Sequence, residues 1–154
     1  MVSKIISGGQ TGVDTAALVF AKAHAIAYGG WVPKGRINEL GRISDRFTGL
    51  AEAHDAVPDT RTRLNVGSAD ATLIIRDGSQ KSPGTSATVR FAEEMGRPWL
   101  EVQLSNGPQV CAPKIAAWLS DVRPVVLNVA GPRESEAPGI QDKAQQLLAM
   151  VFAR

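Results

Sequence analysis

Apolar positions along the chain alternate between short runs and longer, one-sided stripes. Residues 4–7, 71–75, 99–102 and 125–129 are short and rich in Val, Ile and Leu, the pattern of parallel strands covered on both faces. A further short strand is predicted through 27–31. Between the runs lie helical patterns, clearest in 85–95, where Ala87, Phe91 and Met95 recur every fourth residue before Gly96 and Pro98 stop the helix. Over about 138–152, Ala144, Leu147, Leu148 and Val151 form a stripe toward the core, with Pro138 at the first helical position. The order predicts β-α-β units, an α/β fold with a mostly parallel sheet, and a last helix closing one face of it. Residues 29–55 break the pattern. They read as a long connection, either a solvated excursion containing a short helix or a segment lining a site.

Composition narrows the classes. A chain of 154 residues, 44% hydrophobic and 21% charged, makes one domain over 1–154 with a sizeable core. The 17 basic and 15 acidic side chains leave a net charge of +2 with no block of like charges, so no nucleic-acid arm is expected. The most apolar stretch, 16–27, carries Lys22 and His24 and is too short for a membrane span. No secretory apolar core follows Met1, and the single cysteine, Cys111, excludes an internal disulfide. A reducing, cytoplasmic location without a membrane partner is therefore expected. His24, His54 and Cys111 are too scattered for metal-ligand spacing, so no metal site is predicted.

Candidate chemistry gathers in three Gly-containing turns, each after a predicted strand and before a predicted helix. The first runs through Gly8, Gly9, Gln10, Thr11, Gly12 and Asp14, the second through Ser82, Pro83, Gly84, Thr85 and Ser86, and the third through Gly131 and Arg133 toward Ser135 and Gly139. In an open parallel sheet such loops meet outside the carboxyl ends of the strands. Glycine lets the chain turn tightly and bring N–H groups against a ligand oxygen, and each helix start adds about half a positive charge. Three convergent starts point to an anionic ligand. Thr11 with Asp14 also matches a capping box, and Thr85 and Ser86 can cap their own helix.

Named nucleotide fingerprints fail. The first loop is not G-x-G-x-x-G, no acidic residue ends the following strand, and residues 30–36 lack the Lys-Ser/Thr pair of a P-loop. Other candidates are Lys34 and Arg36 after the second strand, and Arg61 and Asn65, four apart on a short helix. Arg36, Arg61 and Arg133 suit phosphate or carboxylate oxygens, whereas Arg76 and Lys81 read as solvated charges. Trp31 can stack on a flat ring or serve as core. Trp99 and Trp118 read as packing.

Together the segments 8–14, 29–36, 61–66, 68–74, 83–85 and 127–133 resemble the putative molybdenum carrier family. That family lies in the Rossmann-like group that includes the lysine-decarboxylase-like, cytokinin-activating phosphoribohydrolases. The match runs from about residue 4 to 140. It implies a Rossmann-like three-layer α/β/α sandwich that binds a phosphorylated nucleotide-like or pterin ligand, with molybdenum cofactor or a nucleotide as the cofactor candidates. In molybdenum cofactor the pterin dithiolene holds the metal, so the protein need supply only a phosphate cradle and a slot for the ring. Related folds pair helices across a two-fold axis, which makes a homo-oligomer the expected assembly.

Departures from the family pattern bear on activity. Thr15 stands where the family has Arg, Leu40 interrupts an acidic pair beside Glu39, and Pro83 replaces a second Gly. In the phosphoribohydrolases a Gly-Thr-x-x-Glu motif supplies a catalytic carboxylate, and Thr88 occupies that position here. No catalytic residue is assigned. The expectation is a binding or carrier protein, with a phosphoribohydrolase-like hydrolase as the alternative.

Overall fold

The computed structural model describes residues 1–78 and 81–153. Six strands form one parallel sheet: β1 (Lys4–Ile6), β2 (Ala27–Val32), β5 (Leu50–Glu52), β6 (Ala71–Arg76), β7 (Trp99–Gln103) and β8 (Val126–Ala130), in the order β5-β2-β1-β8-β6-β7. Two further strands, β3 (Ile37–Asn38) and β4 (Gly41–Arg42), make an antiparallel hairpin outside it. The helices are α1 (Val13–Ala23), α2 (Pro58–Ser68), α3 (Pro83–Met95), α4 (Pro108–Val122) and α5 (Ile140–Phe152), with a 3₁₀ turn at Leu104–Asn106.

Each crossover's direction decides its face. Helical moves toward the β5 edge run through α1 and α4, which pack with α5 on one side; helical moves toward the β7 edge run through α2 and α3, which pack together on the other. A single hand for every crossover gives this sorting. The three-layer Rossmann-like fold follows.

The larger core lies under α1, α4 and α5, where Ile5, Leu73, Ile75, Leu127 and Val129 of the sheet meet Ala17, Phe20, Ile115, Ala144, Leu147 and Leu148. Under α2 and α3 a smaller cluster joins Val66, Ala87, Phe91 and Ala92. Residues 71–75 of β6 are buried without a break, because helices cover both faces, and this is why the strand reads as a continuous apolar run. Gly96 ends α3 in the left-handed region at φ 66°, as expected.

Two local expectations need correction, and one further helix has to be added. Pro138 does not begin the last helix: Glu134 accepts hydrogen bonds from the N–H groups of Gly139 (2.6 Å) and Gln141 (3.0 Å), so α5 starts at Ile140. Residues 29–55 contain no helix but the β3–β4 hairpin and strand β5, anchored by Ile43 and Phe47 against Leu18 and Val32. Residues 108–122, left without an element above, form α4, with Pro113 inside it.

Candidate functional site

The strand order points to a site. If the chain is read from β6 with its ends joined, the sheet order becomes 2-1-3-4-5-6, the doubly wound arrangement whose ligand crevice opens between strands 1 and 3. Here those strands are β6 and β8. The loop after β6 leads to α3 on one face and the loop after β8 to α5 on the other, so the chain parts at this point.

The three Gly-containing turns do meet there. The first lies against the third so closely that a Cβ on Gly12, whose φ is 79°, would strike the Pro132 carbonyl; Gly131 likewise leaves no room beside Val13. The second reaches the third through Ser82, whose hydroxyl bonds Thr85 Oγ1 (2.7 Å) and Glu136 Oε1 (3.1 Å), while Glu136 also accepts from the Arg133 N–H (2.9 Å). Gly84 faces open space: nothing lies within 4 Å of where its Cβ would be. Ser86 is exposed on the same first turn of α3.

Beneath the first turn sit Asp14 and Arg61. Asp14 Oδ2 accepts the Gln10 N–H (3.2 Å) and stands 4.0 Å from Arg61 Nη1. Burial pushes the Asp14 carboxyl up to about 6, against the pull of Arg61 and the loop amides. A Cβ on Gly8 would lie 2.6 Å from Arg61 Nη1 and 2.9 Å from Asp14 Oδ2, so a larger residue there would have to displace the pair. Arg61 Nε is buried without a hydrogen-bond partner among the described residues, a donor left for something else. The capping-box expectation holds by half: Asp14 reaches back to Gln10, but Thr11 does not cap the helix, whose N-cap is Gly12.

Thr11 has another partner. Its hydroxyl donates to Glu39 at the tip of the β3–β4 hairpin and accepts the Glu134 N–H (3.1 Å). Glu39 also accepts from the Ser135 hydroxyl and N–H (3.2 Å), and Arg133 Nη1 lies 3.6 Å from its carboxylate. These contacts, led by the Ser135 hydroxyl, hold the Glu39 carboxyl below the ordinary range. Arg133 stands 3.6 Å from Glu136 as well. Ser82 and Ser135 stood in the second and third turns without being singled out as contacts, and Glu39 and Glu136 were not among the candidates. Glu136 lies three residues from Arg133, a spacing that could have flagged it; nothing in the sequence pairs Glu39 with a turn 96 residues away.

Other candidates are turned elsewhere. Asn65 clamps the end of β2, accepting the Trp31 N–H (2.8 Å) and donating to its carbonyl (2.9 Å), while the Trp31 indole N–H bonds Ser68 (3.2 Å). Arg36 donates to the carbonyls of Ser44 (3.1 Å) and Phe47 (3.3 Å) and so holds the hairpin's base. Lys34 is exposed on the turn after β2. Of the three helix starts, that of α5 is served by Glu134 and that of α1 is closed by the third turn, where the Val13 N–H donates to the Pro132 carbonyl (3.3 Å), which leaves α3 as the open one.

Among the described residues, cavities open at both ends of the sheet. One of about 530 Å³ lies on the β7 side of α3, lined by Arg76, Lys81, Ser82, Ser86, Glu101 and Gln103. A larger, apolar one of about 900 Å³ opens at the opposite end of the sheet, among Phe20, Ile26, Leu119 and Phe152. No group of three His, Cys, Asp or Glu among the described residues is placed to hold a metal ion, and no described helix is long and apolar enough to cross a membrane.

Comparison with known proteins agrees with the motifs. The family described as Circularly permutated YpsA SLOG family matches residues 5–152. A solved structure, that of Putative molybdenum carrier protein from Syntrophus aciditrophicus SB, is 42% identical, covers 99% of this chain and 96% of its own, and superposes with a TM-score of 0.94. None of the curated proteins matches. In the sheet the last strand, β8, stands beside the first, β1. The chain belongs to the circularly permuted YpsA SLOG family.

Proposed function

We propose that the protein is a cytoplasmic carrier that binds a phosphorylated planar ligand, a nucleotide or a pterin phosphate of the molybdenum-cofactor type, in the turns at the carboxyl edge of its sheet. The observation that carries this reading is the meeting of three Gly-containing turns at the β6/β8 parting, with open space where a Gly84 side chain would stand and a buried Arg61 donor unpaired beneath the first turn. The name of the Syntrophus relative supports a carrier role. A pterin whose own dithiolene holds molybdenum needs no protein metal ligand, and the donors described suit its phosphate. Thr88 stands where the phosphoribohydrolases have a carboxylate, and its hydroxyl bonds the Gly84 carbonyl (2.9 Å) in its own helix, which favours binding over turnover.

A melting screen of nucleotides and pterin phosphates, with product analysis of each hit, tests the proposal. A ligand at 100 times its dissociation constant stabilises by about 2.7 kcal/mol, a clear melting shift. Gly84→Val is expected to abolish that shift and leave the unliganded melting temperature in place, because the new side chain enters open space. A shift that survives Gly84→Val removes the second turn from the site. The hydrolase alternative has one feature in its favour: burial pushes the Asp14 carboxyl up to about 6, toward the range a general base uses at neutral pH. Release of base or phosphate, lost in Asp14→Asn, would establish it.

A further inference from the structure

The donors around Glu39 form a better receptor than one hairpin requires. The Thr11 hydroxyl, the Ser135 hydroxyl and N–H, and the Arg133 guanidinium come from two turns and converge on a single carboxylate. Charge-assisted hydrogen bonds in such numbers are what an oxyanion receives from its binding site. The tip that delivers the carboxylate has little else to hold it: Leu40 is 86% exposed and Ile37 55%, and the other ties to the first turn are Gln10 Nε2 to the Ile37 carbonyl and Asn38 Nδ2 to the Gly9 carbonyl, both 3.3 Å. The base is fixed separately, through buried Ile43 and Phe47 and through Arg36. Gly35 and Gly41, at φ 94° and 111°, flank the tip where a change of backbone direction meets the least resistance.

We propose that Thr11, Arg133 and Ser135 form a subsite for a tetrahedral dianion, and that Glu39 is its built-in occupant, a latch the ligand's oxyanion displaces as the hairpin tip swings out. The proposal rests on the binding function above and adds its regulation. A dianion brings more charge and a third oxygen to the same donors, so it outcompetes the carboxylate, and the exposed Leu40 is released to move with the tip. While the latch is closed, only the open fraction of molecules can bind, and the apparent dissociation constant rises in inverse proportion to that fraction.

Calorimetric titration of the full chain with inorganic phosphate, molybdate and adenosine monophosphate tests this. Glu39→Ala and Glu39→Gln are expected to bind at least one of these about tenfold more tightly than the parent, the gain from freeing a latch closed about nine-tenths of the time. Thr11→Val and Arg133→Ala are expected to lose that binding. Equal affinity for the two inorganic ions and the nucleotide identifies a free oxyanion as the ligand; binding of the nucleotide alone identifies a phosphorylated one. A dye attached at Leu40→Cys follows the tip directly, since Cys111 is buried. Its emission should shift on ligand addition, and with Glu39→Ala it should start in the shifted state. If the parent binds in an Arg133-dependent manner but Glu39→Ala binds equally or less well, the latch is overturned and the carrier reading survives. If neither the parent nor the folded Glu39 variants bind any of the three, the subsite falls too, whatever larger ligands do in the melting screen.

Discussion

Glycines in the first and second turns differ in what surrounds them, and a substitution at each reports on a different property. Gly9 has φ 72°, and a Cβ there would lie 2.7 Å from Val32 Cγ1, so Gly9→Val is expected to lower the melting temperature before any ligand is added. Gly84→Val is the cleaner probe of binding. Asp14 makes a prediction in pH. Its carboxyl titrates near 6 when folded against 3.8 ordinarily, so the folded chain binds this proton more tightly than the unfolded one. The contribution therefore disfavours folding more as pH rises from about 4 to about 6, by roughly 3 kcal/mol in all. Asp14→Asn should remove that fall from a series of thermal melts between pH 4 and pH 7; an unchanged slope would assign it to other groups.

Among the elements, α2 shows how a polar helix can be tightly placed. Its buried residues are Thr62, Asn65 and Val66, so little of its anchoring is apolar. Asn65 compensates by bonding both backbone groups of Trp31, joining α2 to the end of β2. Asn65→Ala leaves that N–H and carbonyl without their partner and is expected to cost about 2 kcal/mol, read from urea unfolding. Asn65→Asp keeps the acceptor but sets a buried carboxylate oxygen against the Trp31 carbonyl, so it should cost at least as much. The four-residue spacing of Arg61 and Asn65 was legible because a helix repeats locally. Their separate roles were not: one faces the first turn and the other a neighbouring strand, and only packing distinguishes them. The β3–β4 hairpin escaped notice because two-residue strands carry no periodicity to read.

For the molecule as a whole, the sheet order makes the position of the chain ends incidental. Met1, Val2, Val151 and Phe152 line one cavity, so the termini are neighbours. A variant with those ends joined by a short Gly/Ser linker, and opened at exposed Ala56, should recover the 2-1-3-4-5-6 order as its own strand sequence. It is expected to unfold cooperatively near the parent's melting temperature and to keep the parent's circular dichroism. Loss of a cooperative transition would mean that the break near residue 56 interrupts a folding unit.

Local periodicity determined most of the strands and helices, the α/β class and the three turns, since apolar spacing and glycine placement act over a few residues. The family, too, was written in short motifs. Which turns touch, where the chain parts between β6 and β8, and that Glu39 sits among the hydroxyls and amides of distant loops were decided only by the fold. Those contacts join residues tens of positions apart, and nothing but the packing of both layers on the sheet brings them within hydrogen-bonding distance.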